Sequence, residues 1–591
     1  MLDLRLYRFT LLPFAIVLIV VAFSLHPRPA SLATTPAAQT FNGVAASDKM
    51  FELAASYPER SPGSVSDDAL ATALATTPSP DGLAGGGSGF RVRTVSSNVE
   101  TTSGARTVKT VIATSAGTGA GAGIALIADR GTSQQGPAAL SGTATLLELA
   151  SIYKNLLTHR PLTLVSTSGG ASAMGAVAAM LPQNTEAAIV IGDVANTHGR
   201  GPYVVPWSGA GGVAPIQLRR TVAAALAGTL SSPVGEVSLV DQLARLALPL
   251  TTGAQGPLEA AGVPAVLVGS HGESDPTPAE AVSGAGPIGA FGQALLGVTG
   301  VLDGAPGLPS APTRDLAIGT QVLSGWGVRA VVGVLLLSLA GCALDVLARA
   351  RRRRMPVGRW IGWVLSFAAP FALTGVFVAF IGAGGLLPAT PAAAVTPAQL
   401  PISGSGIAAL VSVGLLFILS WVLRAAARAR SRTKGAPELV GATAALLITG
   451  TVVATLLWFA NPYTAVLLIL PLHLWLVVMT REHHRPPLVG ALYLVLSLVP
   501  LSGAIALLCS GLHLEPFALL WTLALLIAGG GLSFGGLLLV AVTAGCFVAA
   551  AVILLRPGRP GPDERIEVTV RGPLSYAGPG SLGGTESALR R

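Results

Sequence analysis

Gly136-Pro137-Ala138-Ala139-Leu140-Ser141-Gly142-Thr143-Ala144-Thr145-Leu146-Leu147-Glu148-Leu149-Ala150 is the stretch whose reading decides the fold. Its second half opens a helical pattern, Ala144–Leu157, set among short apolar runs of β type. Val108–Ala113, Gly123–Ala128, Leu162–Ser166, Ala187–Ile191 and Ala265–Val268 read as buried strands, and Ala171–Met180 as a second helix. Buried strands alternating with helices are what a sheet covered on both faces requires, because each crossover must pass over a face of the sheet. The expected fold class is therefore α/β, three layers around a mostly parallel central sheet. The low-complexity stretches Thr76–Gly89 and Thr114–Gly123 read as surface loops between elements.

Outside this region the composition changes. The 591 residues are 51% hydrophobic and 11% charged, with a mean hydropathy of +0.65. These values exclude an ordinary soluble protein and predict a polytopic membrane protein with a sizeable polar domain. The division read from the sequence is 1–25, an N-terminal anchor; 26–322, an exported domain; 323–556, a membrane domain; and 557–591, a disordered tail. Residues 26–322 hold 15 Lys/Arg against 19 Asp/Glu, so the chain's net charge of +9 belongs to the apolar half. Positive-inside bias accounts for that distribution, and a nucleic-acid partner does not. Cys342, Cys509 and Cys546 all lie in apolar segments, which leaves the exported domain without a disulfide or a Cys-based metal site.

Phe9–Leu25 follows Arg5 and Arg8, the pattern of a signal peptide or, as preferred here, an uncleaved signal anchor. Later apolar segments cover 325–348, 360–385, 405–427, 438–460, 462–480, 488–510, 515–532 and 534–555. Each approaches the ~20 residues that cross a bilayer as a helix. Arg349 with Arg351 to Arg354, then Arg424, Arg428, Arg430, Arg432 and Lys434, then Arg481 and Arg485 follow alternate spans. All three clusters fall on the cytoplasmic side if residue 1 is cytoplasmic and 26–322 is extracytoplasmic, a multi-pass protein of the plasma membrane. Nine spans would put Arg556 and Arg559 on the wrong side. The expectation is eight or nine, with a re-entrant segment in 515–555 as one solution and Gly529–Gly536 as the weak point.

Five segments, in order, resemble the M28 zinc aminopeptidase family over about residues 48–300. They are Arg60-Ser-Pro-Gly-Ser64, Lys109-Thr-Val-Ile-Ala113, Ser141-Gly-Thr-Ala-Thr-Leu-Leu-Glu-Leu-Ala150, Leu164-Val-Ser-Thr-Ser-Gly-Gly170 and Gly262-Val-Pro-Ala265. That family holds two zinc ions with a His, a bridging Asp, a Glu, an Asp and a final His, and a second Glu activates water. The resemblance implies a damaged site here. The first His position carries Asp129, in Ala-Asp-Arg-Gly, and the bridging Asp maps to Ala138, whose methyl offers a cation no lone pair. The Glu-Glu pair maps to Gly169-Gly170, removing the general base and one ligand, whereas Asp193 and His271 match the retained Asp and final His.

Asp129, Asp193 and His271 are thus vestigial metal candidates, for one zinc at most, with no cofactor preferred. With Ser141, Gly169 and Gly170 they form the candidate binding pocket, which loss of two carboxylates would make roomier and less acidic. Glu148 reads as scaffold, His198 as an exposed loop residue, and Glu273 and Asp275 as surface carboxylates. In the apolar half, His473 reads as snorkelling near the end of its span and Asp345 as an ion-pair partner of the Arg cluster. Asn461 with Pro462, and His513 with Glu515, read as short outer loops.

The layout of one span, an exported degenerate M28-like domain and several more spans is similar to that of the glycosylphosphatidylinositol transamidase attachment subunit. The resulting expectation is a non-catalytic membrane protein whose exported domain binds or presents a peptide, a lipid head group, a lipid-linked substrate or a membrane partner protein. The alternatives are a divergent membrane-bound zinc peptidase and an accessory or transport component of the envelope.

Overall fold

The computed structural model describes residues 5–33, 39–76, 82–83, 89–119, 121–131, 136–195, 201–235, 237–273, 282, 284–307, 311–352, 354, 356–388, 390–430, 439–480 and 487–555. His198, Asp275, most of Thr76–Gly89, Arg432, Lys434, Arg481, Arg485 and the tail 557–591 lie outside the described residues.

The chain starts with the apolar helix α1 (Arg5–Phe23) and the two-residue strand β1 (His26–Pro27). Helices α2 (Gly43–Ser56) and α3 (Val65–Ala75) precede a long hairpin, β2 (Arg91–Thr101) and β3 (Gly104–Ser115). Then come β4 (Gly123–Gly131), α4 (Ser141–Tyr153), β5 (Leu162–Ser168), α5 (Ala171–Met180), β6 (Thr185–Ile191) and β7 (Tyr203–Val205). Helices α6 (Ile216–Leu230), α7 (Leu239–Ala247) and α8 (Gln255–Ala260) lead to β8 (Ala265–Gly269) and α9 (Ala285–Gly304). The sheet order is β2-β3-β5-β4-β6-β8-β7. Its four middle strands, β5, β4, β6 and β8, are parallel, and antiparallel strands flank them on both sides.

Alternation along the strands explains the layers. In β4, Ile124, Leu126 and Ala128 enter one core, with α2, α4, α6 and α9. Ala125 and Ile127 enter the other, with α5 and α8. Each expected strand is present. The β2 strand was not expected, and β3, through which it joins the sheet, runs antiparallel to β5. Between β4 and β6 the chain passes to opposite sides of β4, which opens a crevice at the carboxyl ends of the parallel strands.

Strands β9 (Leu316–Ile318) and β10 (Gln321–Leu323) pair with β1 in a small sheet where α1 and α10 (Gly325–Arg352) meet the α/β domain. The helical half continues with α11 (Val357–Ala383), α12 (Gly404–Arg430), α13 (Leu439–Ala460), α14 (Pro462–Thr480), α15 (Pro487–Leu512), α16 (Pro516–Ala528) and α17 (Phe534–Leu554). Among the described residues, seven helices are long and apolar enough to cross a membrane. One of them is α9, but its Ile288, Phe291, Leu295 and Leu302 are packed inside the α/β core, so its apolar face is already covered. The other six lie in the helical half, and the chain has the helices of a multi-pass membrane protein.

Helix α16 bears on the count of spans. Its 13 residues reach about 20 Å, short of the ~30 Å hydrocarbon core. Its first turn follows His513, whose ring meets Tyr203 of the α/β domain edge-on at 6.2 Å. At its far end, a Cβ on Gly529 would come within 2.8 Å of Thr390 O, in the segment joining α11 to α12. Both ends of α16 therefore lie on the side of the α/β domain. Helix α17 then runs antiparallel to α11, with Leu537 against Gly375, Gly545 against Ala368 and Leu554 against Gly490 of the far end of α15. Among the described residues, α16 thus returns to the side of the α/β domain, whereas α17 runs along α11 and ends against Gly490 of α15.

Candidate functional site at the sheet edge

The site forms where four parallel strands end. Asp129 lies near the end of β4, Gly169 and Gly170 follow β5, Asp193 follows β6 and His271 follows β8. Asp129, Gly170, Asp193 and His271 line one cavity of about 70 Å³, together with Thr252 and Gln399. Gly169 faces a smaller neighbouring cavity of about 40 Å³ with Gly170, Ala394, Val395 and Gln399.

Asp193 is 8% exposed, and its carboxylate is held on every side. Oδ1 accepts from the Ala195 N–H at 2.9 Å and lies 2.9 Å from Ser141 Oγ. Oδ2 lies 2.9 Å from His271 Nδ1 and 3.3 Å from Ser270 Oγ. Ser141 does not line the cavity. It is fully buried, accepts from the Val194 N–H at 3.0 Å and sits 2.6 Å from the Ala138 carbonyl. Ala138 therefore meets Ser141 through its backbone carbonyl. A Cβ on Gly142 would reach within 2.5 Å of Ile191 O, so glycine here lets α4 press against the end of β6.

Gly169 and Gly170 have φ of +103° and +58°, conformations that L side chains rarely adopt. A Cβ on Gly170 would stand 3.5 Å from Asp129 Oδ2, so Asp129 faces the turn formed by the two glycines. The room expected from those glycines is not open space. The segment between α11 and α12 brings Ala394, Val395 and Gln399 over it, and what remains is far below the several hundred Å³ of a drug-sized ligand pocket.

The expectation that Glu273 is a surface carboxylate is corrected. It is 4% exposed, with Oε1 2.6 Å from Arg245 Nη2 and Oε2 accepting from Thr251 Oγ1 at 2.6 Å and the Thr252 N–H at 3.0 Å. His473 does not snorkel. Its Nδ1 lies 2.8 Å from Ile469 O and its Nε2 3.4 Å from Ser338 Oγ of α10. Asp345 pairs with Arg349 at 2.8 Å, as the sequence predicts. Thr252, Ser270 and Gln399 were not singled out from the sequence. Gln399 had no local signal, since its place above the sheet depends on how the membrane half docks.

Beneath the site lies a second charged group that the motifs concealed. Arg130, buried completely, donates through Nε to Asp67 Oδ1 at 2.9 Å. Its other nitrogens reach Ser166 O at 2.9 Å and Lys109 O. Asp67 Oδ2 accepts from Ser168 Oγ at 2.6 Å and the Gly63 N–H at 2.9 Å. Burial lowers the pKa of Arg130, and the Asp67 carboxylate opposes that shift. A charged residue inside an apolar strand is the signal that marks this pair.

A zinc ion fits these residues poorly. Among the described residues no three His, Cys, Asp or Glu side chains group to hold a metal. The donor set gives the reason, since Asp193 is already engaged by His271, Ser141, Ser270 and a backbone N–H.

No protein-family model matches the chain, and no curated protein matches its sequence. Solved structures similar in chain path to its first half include Legionella pneumophila LapB, at 16% identity and a TM-score of 0.36, over 49% of this chain and 80% of that one. The LapA aminopeptidase of the same organism matches at 12% identity and 0.35, over 45% and 72%. An Acidobacteriales bacterium glutaminyl cyclase matches at 15% and 0.33, over 46% and 97%. These scores are low, and the chemistry of the site is read from its own residues.

Proposed function

We propose that this chain is a polytopic membrane protein whose α/β domain, on the extracytoplasmic side, is a non-catalytic binding domain. Its N-terminus and basic clusters then face the cytoplasm. The observation that carries this reading is the closure of Asp193 on His271, Ser141 and Ser270, with no base at Gly169-Gly170. The cavity beside Asp129 and His271 suits a small polar end group, such as a peptide terminus or a lipid head group, presented to a partner at the membrane. The layout shared with the glycosylphosphatidylinositol transamidase attachment subunit agrees with such a presenting role.

A second reading keeps a single zinc on Asp129, Asp193 and His271, which do line one cavity. Metal analysis and aminopeptidase assay of the full-length protein in detergent decide between the two. Sub-stoichiometric zinc and no turnover are expected. Stoichiometric zinc that disappears in an Asp193→Ala/His271→Ala variant would sink the non-catalytic reading.

A further inference from the structure

At the bundle end remote from the α/β domain, α12 leans two arginines onto α11. Arg424 Nε donates to Ser366 O at 2.8 Å, and Arg428 Nη2 donates to Ser366 Oγ at 2.9 Å. The Arg424 guanidinium lies 3.5 Å from the centroid of Phe367 and 5.3 Å from that of Trp421. That of Arg428 lies 4.9 Å from Phe367 and 5.6 Å from Trp363. Arg424 Nη2 is buried with no hydrogen-bond partner among the described residues.

No described carboxylate balances Arg424. Between residues 325 and 555 the sequence has four acids, Asp345, Glu438, Glu482 and Glu515. Of the described pair, Asp345 is held by Arg349, and Glu515 stands just before α16, at the opposite end of the bundle. A guanidinium with an idle, buried donor in a low-dielectric setting is costly unless an anion meets it.

Depth and surroundings identify the anion. Arg424 lies 20 residues into α12, about 30 Å along a helix, which is the thickness of the hydrocarbon core. Around it, Ile418, Leu419, Val422 and Leu423 are exposed, so the cleft opens sideways to acyl chains. Trp363 and Trp421 stand at the same level, as tryptophans do at the membrane interface.

We propose that the α11–α12 cleft around Ser366, Phe367, Arg424 and Arg428 binds the phosphate of an anionic phospholipid in the leaflet remote from the α/β domain. Arg424 Nη2 would grip a phosphate oxygen with the Arg428 charge beside it, and the aromatic rings would hold both guanidinium planes in place.

The test uses the full-length protein in nanodiscs of phosphatidylcholine with or without phosphatidylglycerol. The readouts are thermal stability and native mass spectrometry of lipid retained after delipidation. The wild type should retain phosphatidylglycerol preferentially and melt several degrees higher with it. Arg424→Gln should weaken retention about tenfold, the loss of one charge-assisted contact. Arg424→Lys keeps the charge but loses the planar pair of donors, and its retention of phosphatidylglycerol should fall between that of the wild type and that of Arg424→Gln. The Lys variant carries the test if the Gln variant does not fold. Equal retention of both lipids by the wild type, or undiminished selectivity in both variants, overturns the proposal. So does an equal stabilisation by inorganic phosphate in pure phosphatidylcholine.

Discussion

Where the metallopeptidase pattern carries its first histidine and a following acid, this chain has Asp129-Arg130-Gly131, and Arg130 turns under the sheet to meet Asp67. The pair ties α3, β3, β4 and β5 together from within, because Arg130 also holds the carbonyls of Ser166 and Lys109. Removing one partner leaves a wholly buried charge. Arg130→Met should destabilise the full-length protein by about 3–5 kcal/mol, and Asp67→Leu combined with Arg130→Met by less than either alone. Denaturant titration of the three variants checks this, and an additive double variant would show that the two charges do not interact.

Glu259, in α8, is another buried titratable group. It is 3% exposed, its Oε1 accepts the Ala265 N–H at 2.5 Å and its Oε2 has no partner among the described residues. Burial pushes its pKa up to about 8 from 4.5, with the Ala265 N–H pulling the other way. The folded state thus keeps its proton to a higher pH than the unfolded chain does. The stability this contributes is complete below pH ~4.5 and declines as pH rises towards 8, by on the order of 5 kcal/mol. Glu259→Gln should flatten the stability profile between pH 5 and 8, roughly the window set by those two values. An unchanged slope in melting temperature against pH would place the titrating group elsewhere.

At the scale of elements, legibility followed burial. The strands β4, β5, β6 and β8 are apolar on both faces because helices cover both, and such runs stand out in any sequence. Strand β2 did not. Its residues alternate as Arg91, Val92, Arg93, Thr94 and Val95, mostly exposed at the sheet edge, and so carry little apolar signal. That Asp129, Asp193 and His271 come together at one cavity was legible because motifs flank them. The roof over them was not, since it comes from a segment more than a hundred residues away.

The opposite problem arises for α9 and α16, which are apolar enough to pass for spans. Only their neighbours show that one is a core helix and the other stays on the α/β side. The placement of α16 can be checked by cysteine labelling in intact cells, with the native cysteines all buried. Gly535 has open space around its Cβ position, and Leu555 is 46% exposed. Gly535→Cys should react with an impermeant maleimide from the side that bears the α/β domain, and Leu555→Cys only after permeabilisation. The reverse pattern, Leu555→Cys reacting from that side and Gly535→Cys only after permeabilisation, would mean that α16 crosses the membrane as well as α17.

The whole molecule is a domain seated on a bundle, and α7 is the main point of contact. Asn461 Nδ2 donates to Leu246 O at 2.7 Å and Thr464 Oγ1 to Ala247 O at 2.6 Å, while Tyr463 OH reaches Arg314 O. Leu250 packs with Leu508, Leu512 and Leu519 of α15 and α16. The cavity at the sheet edge faces this same junction, with Gln399 in its lining. Arg245 links the two, because its guanidinium bridges Glu273 at the rim to Leu250 O and rests against Gly511 of α15. In Arg245→Met, Glu273 would keep Thr251 and the Thr252 N–H but lose its countercharge in a site where its side chain is 1% exposed. A cost of about 3–5 kcal/mol follows for the part of the fold that depends on the pair. Because that part is the seat of the domain, the wild type should melt in one calorimetric transition. The variant should show two, the α/β domain unfolding first, with earlier proteolytic cleavage in 385–403. A variant that melts in one step at an unchanged temperature would mean that the domain and the bundle are held together without this bridge.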